Sequence, residues 1–221
     1  MPSKPASPAK PSAPRSAEAD LAFLRSIVEG GGKPSITLAI CYLAGGLLYG
    51  LQCLFHIGQI FGVIRWPALA NLTFVIGVTV AVCGFITWAA IRDMREARGG
   101  NHGPLATRTL NAAFSSAGMV NLAMIIIFGV GAWRDGDFAL WFYYPAVVFG
   151  LQAAAWLVAW GLKKKVWMLA TSAGGWLTAV ALGLLIRQPD QYLYVCTVAL
   201  FLLFALPGWI MLRDAQTKTA A

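Results

Sequence analysis

Charge is what this chain has least of. Only 12% of its 221 residues are charged, about half the share usual in a soluble domain. No Asp or Glu falls inside any of its long apolar runs. That excludes a carboxylate-held metal within those runs and suits ordinary proton or cation coupling poorly. Histidine is nearly as scarce. Of the two present, His56 lies in an apolar run and His102 in a connection on the opposite side, so a haem held by two membrane histidines has no second ligand. The four cysteines (Cys41, Cys53, Cys83, Cys196) form no CxxC pair and all fall within apolar runs. They read as reduced packing residues rather than a redox relay.

Catalytic signatures are missing too. There is no phosphate-cradling P-loop and no dinucleotide fingerprint. Ser115-Ser116 and Thr171-Ser172 have no acid or base partner by sequence logic, and a hydrolase needs a dyad or a metal. No catalytic residue, metal ligand or cofactor is assigned, and an enzyme is the least favoured class. A cleavable signal peptide is not expected either. The first apolar run starts at Ile36 and is too long for an h-region, so it should act as a signal anchor.

What the chain has in abundance is hydrophobic length. It is 58% hydrophobic with a mean hydropathy of +0.67. Six runs predict an all-α polytopic membrane protein in contact with the lipid bilayer: Ile36 to Ile60, Ala68 to Ile91, Leu110 to Trp133, Phe138 to Leu162, Val166 to Ile186 and Tyr192 to Leu212. Each is long enough for roughly 30 Å of hydrocarbon. Short connections predict antiparallel neighbours and a compact up-down bundle over residues 33–213. The stretch Arg92 to Arg108 is the one connection of any length. Pro145 and Pro207 lie inside spans and should each kink a helix.

Before the bundle, residues 1–15 are Pro, Ser, Ala and Lys, a tail expected to be disordered. Residues 16–32 predict a short amphipathic interfacial helix, capped by Ser16 and ended by Gly30-Gly31-Gly32. Residues 214–221 read as a short cytoplasmic tail. The first 32 residues are where a membrane or cytoplasmic protein partner would dock.

The net charge of +8 does not point to nucleic acid, because its positions set topology. With the N-terminus inside, all of the 17 Lys and Arg except Arg65, Arg134 and Arg187 fall on the cytoplasmic side. Both termini are therefore expected in the cytoplasm of a cell whose plasma (inner) membrane holds the chain. Trp66, Trp133, Trp141, Tyr143, Tyr144, Tyr192 and Tyr194 fall near the outer boundary, and Trp88, Trp160, Trp167 and Trp209 near the inner one, as interfacial belts do. Trp141 to Pro145 reads alternatively as the lining of an outer vestibule.

Polar side chains inside the spans are the candidate site. Gln52, His56 and Gln59 lie at i, i+4 and i+7, one helix face. Val147-Val-Phe-Gly-Leu-Gln152 echoes Leu47-Leu-Tyr-Gly-Leu-Gln52 at an offset of 100. This suggests an inverted 3+3 repeat, about 36–133 and 138–212, although apolar helices also match by chance. Gln52 and Gln152 either tie helices together or line a polar pocket with Asn71, Asn111, Ser115, Ser116 and Asn121. Such a pocket offers dipoles without charge and suits a neutral or zwitterionic ligand, or water. His56 is a proton acceptor or ligand in one reading and a hydrogen-bonded buried histidine in the other. Gly46 and Gly50 form GxxxG, a close-packing face within the chain or in a homodimer.

Two functions follow from this inventory. The first is a non-enzymatic inner-membrane protein with a regulatory, sensory or accessory role. The second is a small transporter or channel for a neutral or zwitterionic solute, with its site at the midplane between the repeats.

Overall fold

The computed structural model describes residues 36–97 and 105–217. The expected tail and amphipathic helix at the N-terminus lie outside the described residues. Within them the chain is helical, with no strand. The helices are α1 (Ile36–Ile60), α2 (Ala68–Ala97), α3 (Leu105–Asp135), α4 (Ala139–Lys163), α5 (Val166–Leu184), α6 (Pro189–Leu200) and α7 (Leu206–Thr217). A π-helical turn, Phe201–Ala205, joins α6 to α7, so these two form one continuous sixth span. Six helices are long and apolar enough to cross a membrane, and the chain is a multi-pass membrane protein.

Local chemistry explains where the helices stop. Gly62 adopts φ +70° after α1. Its N–H reaches Gln59 O at 2.9 Å, and Val63 N–H reaches Gly58 O at 3.0 Å. This is a Schellman closure, which needs a left-handed residue that glycine supplies without strain. Gly136, after α3, is also left-handed, with φ +65°. Lys164, with φ 54°, turns the chain between α4 and α5. Its N–H bonds Trp160 O, and its ammonium lies 4.7 Å from the centre of the Trp160 ring.

Two expected boundaries moved. The described residues of the connection Arg92 to Arg108 are helical, since α2 runs on to Ala97 and α3 begins at Leu105. Residues 214–217, expected within the short C-terminal tail, are the helical end of α7. Hydropathy marks where a helix leaves the hydrocarbon, whereas backbone hydrogen bonding continues past that point wherever the residues favour it.

In space the helices neighbour one another in the order α2, α1, sixth span, α5, α4, α3. The α4–α5 hairpin is closely packed. There Gly175 lies against Ala153, where an added Cβ would stand 2.8 Å from the Ala153 Cβ, and buried Ser172 Oγ donates to Ala153 O at 2.7 Å. Small residues let these backbones approach, as membrane helices require when no hydrophobic effect drives them together. Tyr192 Oη ties the sixth span to α4 through Phe142 O at 2.7 Å. α2 and α3, joined by the longest connection, do not pack closely on each other among the described residues.

Pro207 sits inside the sixth span without a backbone donor. The register slips one residue just before it, with the Leu206 N–H bonding Phe201 O. The expected disturbance is thus taken up as a π turn, a feature that recurs at functional sites. Pro145 is accommodated within α4, which continues through it.

Candidate functional site

α1 has two working faces. Gly46 and Gly50 form the first. A Cβ on Gly46 would stand 2.8 Å from Ala205 Cα and 2.9 Å from Leu200 O, and one on Gly50 would stand 2.9 Å from the Phe201 ring. Gly208 answers from α7, where a Cβ would stand 2.9 Å from Ala39 O. The GxxxG face is therefore occupied by the chain's own sixth span at its π turn. A homodimer would have to use another surface.

The second face is polar. Tyr42, Tyr49, Gln52, His56 and Gln59 follow one another at helical spacings of seven, three, four and three residues. At the end near the 61–67 connection, Gln59 Nε2 donates to Asn71 Oδ1 at 2.6 Å. Its carbonyl then lies 3.0 Å from His56 Nδ1, a contact that suits the tautomer with its proton on Nδ1. Phe55, Trp66 and Phe74 pack around this network.

At the other end of the stripe Tyr42 is 5% exposed and its hydroxyl donates to Gln152 Oε1. The Tyr42 ring stacks on Phe204 and meets Phe114 and Trp156 edge-on, with centroids 5.1, 5.6 and 5.3 Å away. Gln152, half-buried, thus borders an aromatic cluster drawn from four spans. The Trp156 indole N–H is buried there with no acceptor.

Between these ends lies the least satisfied region. Gln52 Oε1 and Asn121 Oδ1 are both buried without a hydrogen-bond partner. One turn from Gln52, the Tyr49 hydroxyl faces Thr79 with Cys83 nearby. The Tyr144 hydroxyl of α4 faces Asn121 of α3, with Tyr49 and Cys83 close by. Polar side chains from α1, α2, α3 and α4 therefore converge, and no charged side chain lies on these helices at that depth.

Of the residues expected at the site, Gln59, His56 and Asn71 form one network and Gln152 belongs to another. Gln52 and Gln152 do not bond each other. Asn121 joins the middle region. Ser115 and Ser116 are exposed on α3, and Ser116 Oγ bonds its own helix at Ala113 O, 3.0 Å away. Sequence reasoning missed Tyr42 and Tyr49, and it placed Tyr144 in the interfacial belt. The spacing of Tyr42 and Tyr49 from Gln52 was the available signal.

Two shallow apolar grooves lie elsewhere. One of about 490 Å³ runs between α5 and the sixth span beside Leu177, Val198 and Leu202. One of about 470 Å³ lies at the start of α2 beside Trp66, Leu69 and Phe74. No group of three or more metal-binding side chains occurs among the described residues. No protein family, curated protein or solved structure matches this chain.

Proposed function

We propose that this multi-pass protein resides in the cell's inner (plasma) membrane with both termini in the cytoplasm, and that it serves a non-enzymatic regulatory, sensory or accessory role. The observation carrying this reading is the filled centre. Gln152 is hydrogen-bonded by Tyr42 beside a packed aromatic cluster, and Gln52 makes no hydrogen bond to it. Dipoles are available along α1, but a translocation path would have to be opened through packed aromatic side chains. The basic residues support the orientation, since placing most of them in the cytoplasm satisfies the positive-inside bias.

The transporter reading keeps one observation in its favour. Exchanging the two halves maps the α1–α2 neighbours onto α4–α5, and α1 with the sixth span onto α4 with α3, and all of these pairs pack together. Against it, Gly50 lies on Phe201 of the sixth span while Gly150 lies on Trp176 and Ala179 of α5. The two Gly-Leu-Gln segments are used differently.

Affinity purification of the full chain from native membranes, followed by mass spectrometry, tests the assignment. A stoichiometric protein partner that is lost on deletion of residues 1–32 is the expected result. A chain isolated alone that catalyses uptake of neutral solutes into proteoliposomes would overturn it.

A further inference from the structure

We infer that Cys53 of α1 and Cys196 of the sixth span form an oxidisable dithiol, a modification site that closes to a disulfide when an organic hydroperoxide dissolved in the bilayer reaches Cys53. The inference goes beyond the regulatory reading and does not rest on it. The oxidant arrives through lipid, so the orientation of the chain does not enter either.

Three observations carry it. The first is the contact. Neither cysteine is in a disulfide. Cys196 belongs to a buried cluster with Phe149, Leu182 and Leu200, and Cys53 packs against that cluster. The two thiols are within hydrogen-bond reach of each other. Their depths agree as well. Cys53 lies seven residues before the end of α1 and Cys196 seven residues after the start of α6, roughly 10 Å inside each helix end. Spacing along the chain does not pair them, because they stand on the first and last spans.

The second observation is the closeness of the two backbones. Gly46, Gly50 and Cys53 follow at i, i+4 and i+7, one helix face. On that face α1 meets the sixth span so tightly that a Cβ on Gly46 would stand 2.8 Å from Ala205 Cα. Cys53 is one turn beyond Gly50. A disulfide demands Cα atoms only about 4.4–6.8 Å apart, and a glycine-lined crossing holds the two spans close and in a fixed register.

The third is the unequal exposure of the pair. Cys196 is 6% exposed, whereas Cys53 is half-buried and sits between the exposed Leu51 and Leu54 at the lipid-facing edge of α1. A reagent dissolved in hydrocarbon therefore meets Cys53 first, with Cys196 directly behind it. Thr197 Oγ1 also borders Cys53. Its own proton goes to Leu193 O at 2.7 Å, so toward Cys53 it accepts, which leaves a sulfur lone pair to attack.

The chemistry balances in two steps. The Cys53 sulfur attacks the terminal oxygen of the hydroperoxide. An S–O bond forms, the O–O bond breaks, and the thiol proton leaves with the alkoxide as an alcohol. The resulting sulfenic acid condenses with Cys196. An S–S bond forms, the S–O bond breaks, and the hydroxyl departs with the Cys196 proton as water. Two electrons pass from the two sulfurs to the peroxide, and α1 is tied covalently to the sixth span.

The full chain is reconstituted in nanodiscs, treated with cumene hydroperoxide, denatured, alkylated and digested without reduction. Mass spectrometry is expected to find a peptide pair joining Cys53 to Cys196, with loss of two of the four thiols. Cumene hydroperoxide should act faster than hydrogen peroxide at equal bulk concentration, because it partitions into lipid. A double variant, Cys41→Ser with Cys83→Ser, should bridge as the parent does. In Cys196→Ser, dimedone should mark Cys53 as a sulfenic acid. Bridging by copper phenanthroline but not by the hydroperoxide would overturn the oxidant. No bridge with either reagent would overturn the pairing. Hydrogen peroxide acting as fast as cumene hydroperoxide would overturn entry through the bilayer, and dimedone on Cys83 alone would overturn Cys53 as the attacking thiol.

Discussion

Gly46→Ala is the sharpest test of the fold, because its neighbour supplies an internal control. A methyl group at Gly46 would stand 2.8 Å from Ala205 Cα and 2.9 Å from Leu200 O, about 0.7 Å inside the ~3.5 Å of ordinary van der Waals contact. Both obstacles are backbone atoms, one in the π turn and one at the residue just before it, so no rotamer change relieves the clash. α1 must lift off the sixth span. Overpacking of this kind costs about 1–3 kcal/mol. Alanine returns part of that through helix propensity, about 1 kcal/mol over glycine. At Gly45 an added Cβ meets nothing within 4 Å, so Gly45→Ala collects the propensity gain alone. The gap between the two variants therefore isolates the collision, about 2 kcal/mol. At ~2–4 °C per kcal/mol for a chain of this size, this is a difference of roughly 4–8 °C in Tm. Tryptophan fluorescence during thermal unfolding in one detergent would read it. Equal Tm values for the two variants would refute the close approach of α1 to the π turn.

Two further outcomes follow from the polar contacts. Tyr42→Phe should destabilise the protein by about 1–2 kcal/mol, because Gln152 Oε1 then loses its donor inside the aromatic cluster. Adding Gln152→Leu should recover part of that loss, and a double-mutant cycle in the same unfolding assay would show whether the two residues are coupled. Asp214→Asn should change stability by less than about 1 kcal/mol. Its 2.8 Å contact with Lys165 joins two side chains that are 42% and 47% exposed. A Tm loss of many degrees would mean that this pair ties α7 to α5 in a way its exposure does not suggest.

How far the sequence reaches can be judged residue by residue. α1 was legible to its last residue, because Gly62 and Pro67 punctuate the chain directly after it. The polar face of α1 was legible from Gln52 onward, because a glutamine or histidine in an apolar run stands out. Tyr42 and Tyr49 did not stand out. Tyrosine is common in membrane helices, and only its partners reveal that the hydroxyl matters. The partner of the GxxxG face was illegible for a different reason. Gly46 packs against backbone at Leu200 and Ala205, and backbone carries no side-chain signature. The π turn was half legible. Pro207 announces a lost hydrogen bond, but bending and register slip both accommodate one, and packing against Gly46 goes with the slip.

The division of labour on α1 bears on how the molecule could respond to anything it binds. Its glycine face is locked to the sixth span by contacts too close to slide. The sixth span reaches α4 through Tyr192, and α4 is closely packed on α5 through Ser172 and Gly175. α1, α4, α5 and the sixth span therefore behave as one scaffold. α2 packs on this scaffold through α1 and α3 through α4, and these two have the smallest buried share of all the spans. Local opening is cheapest where the fewest contacts are lost. The unmet carbonyls of Gln52 and Asn121 lie on the scaffold helix α1 and the outer helix α3. The connection between α2 and α3 carries Arg92 and Arg95 at the close of α2.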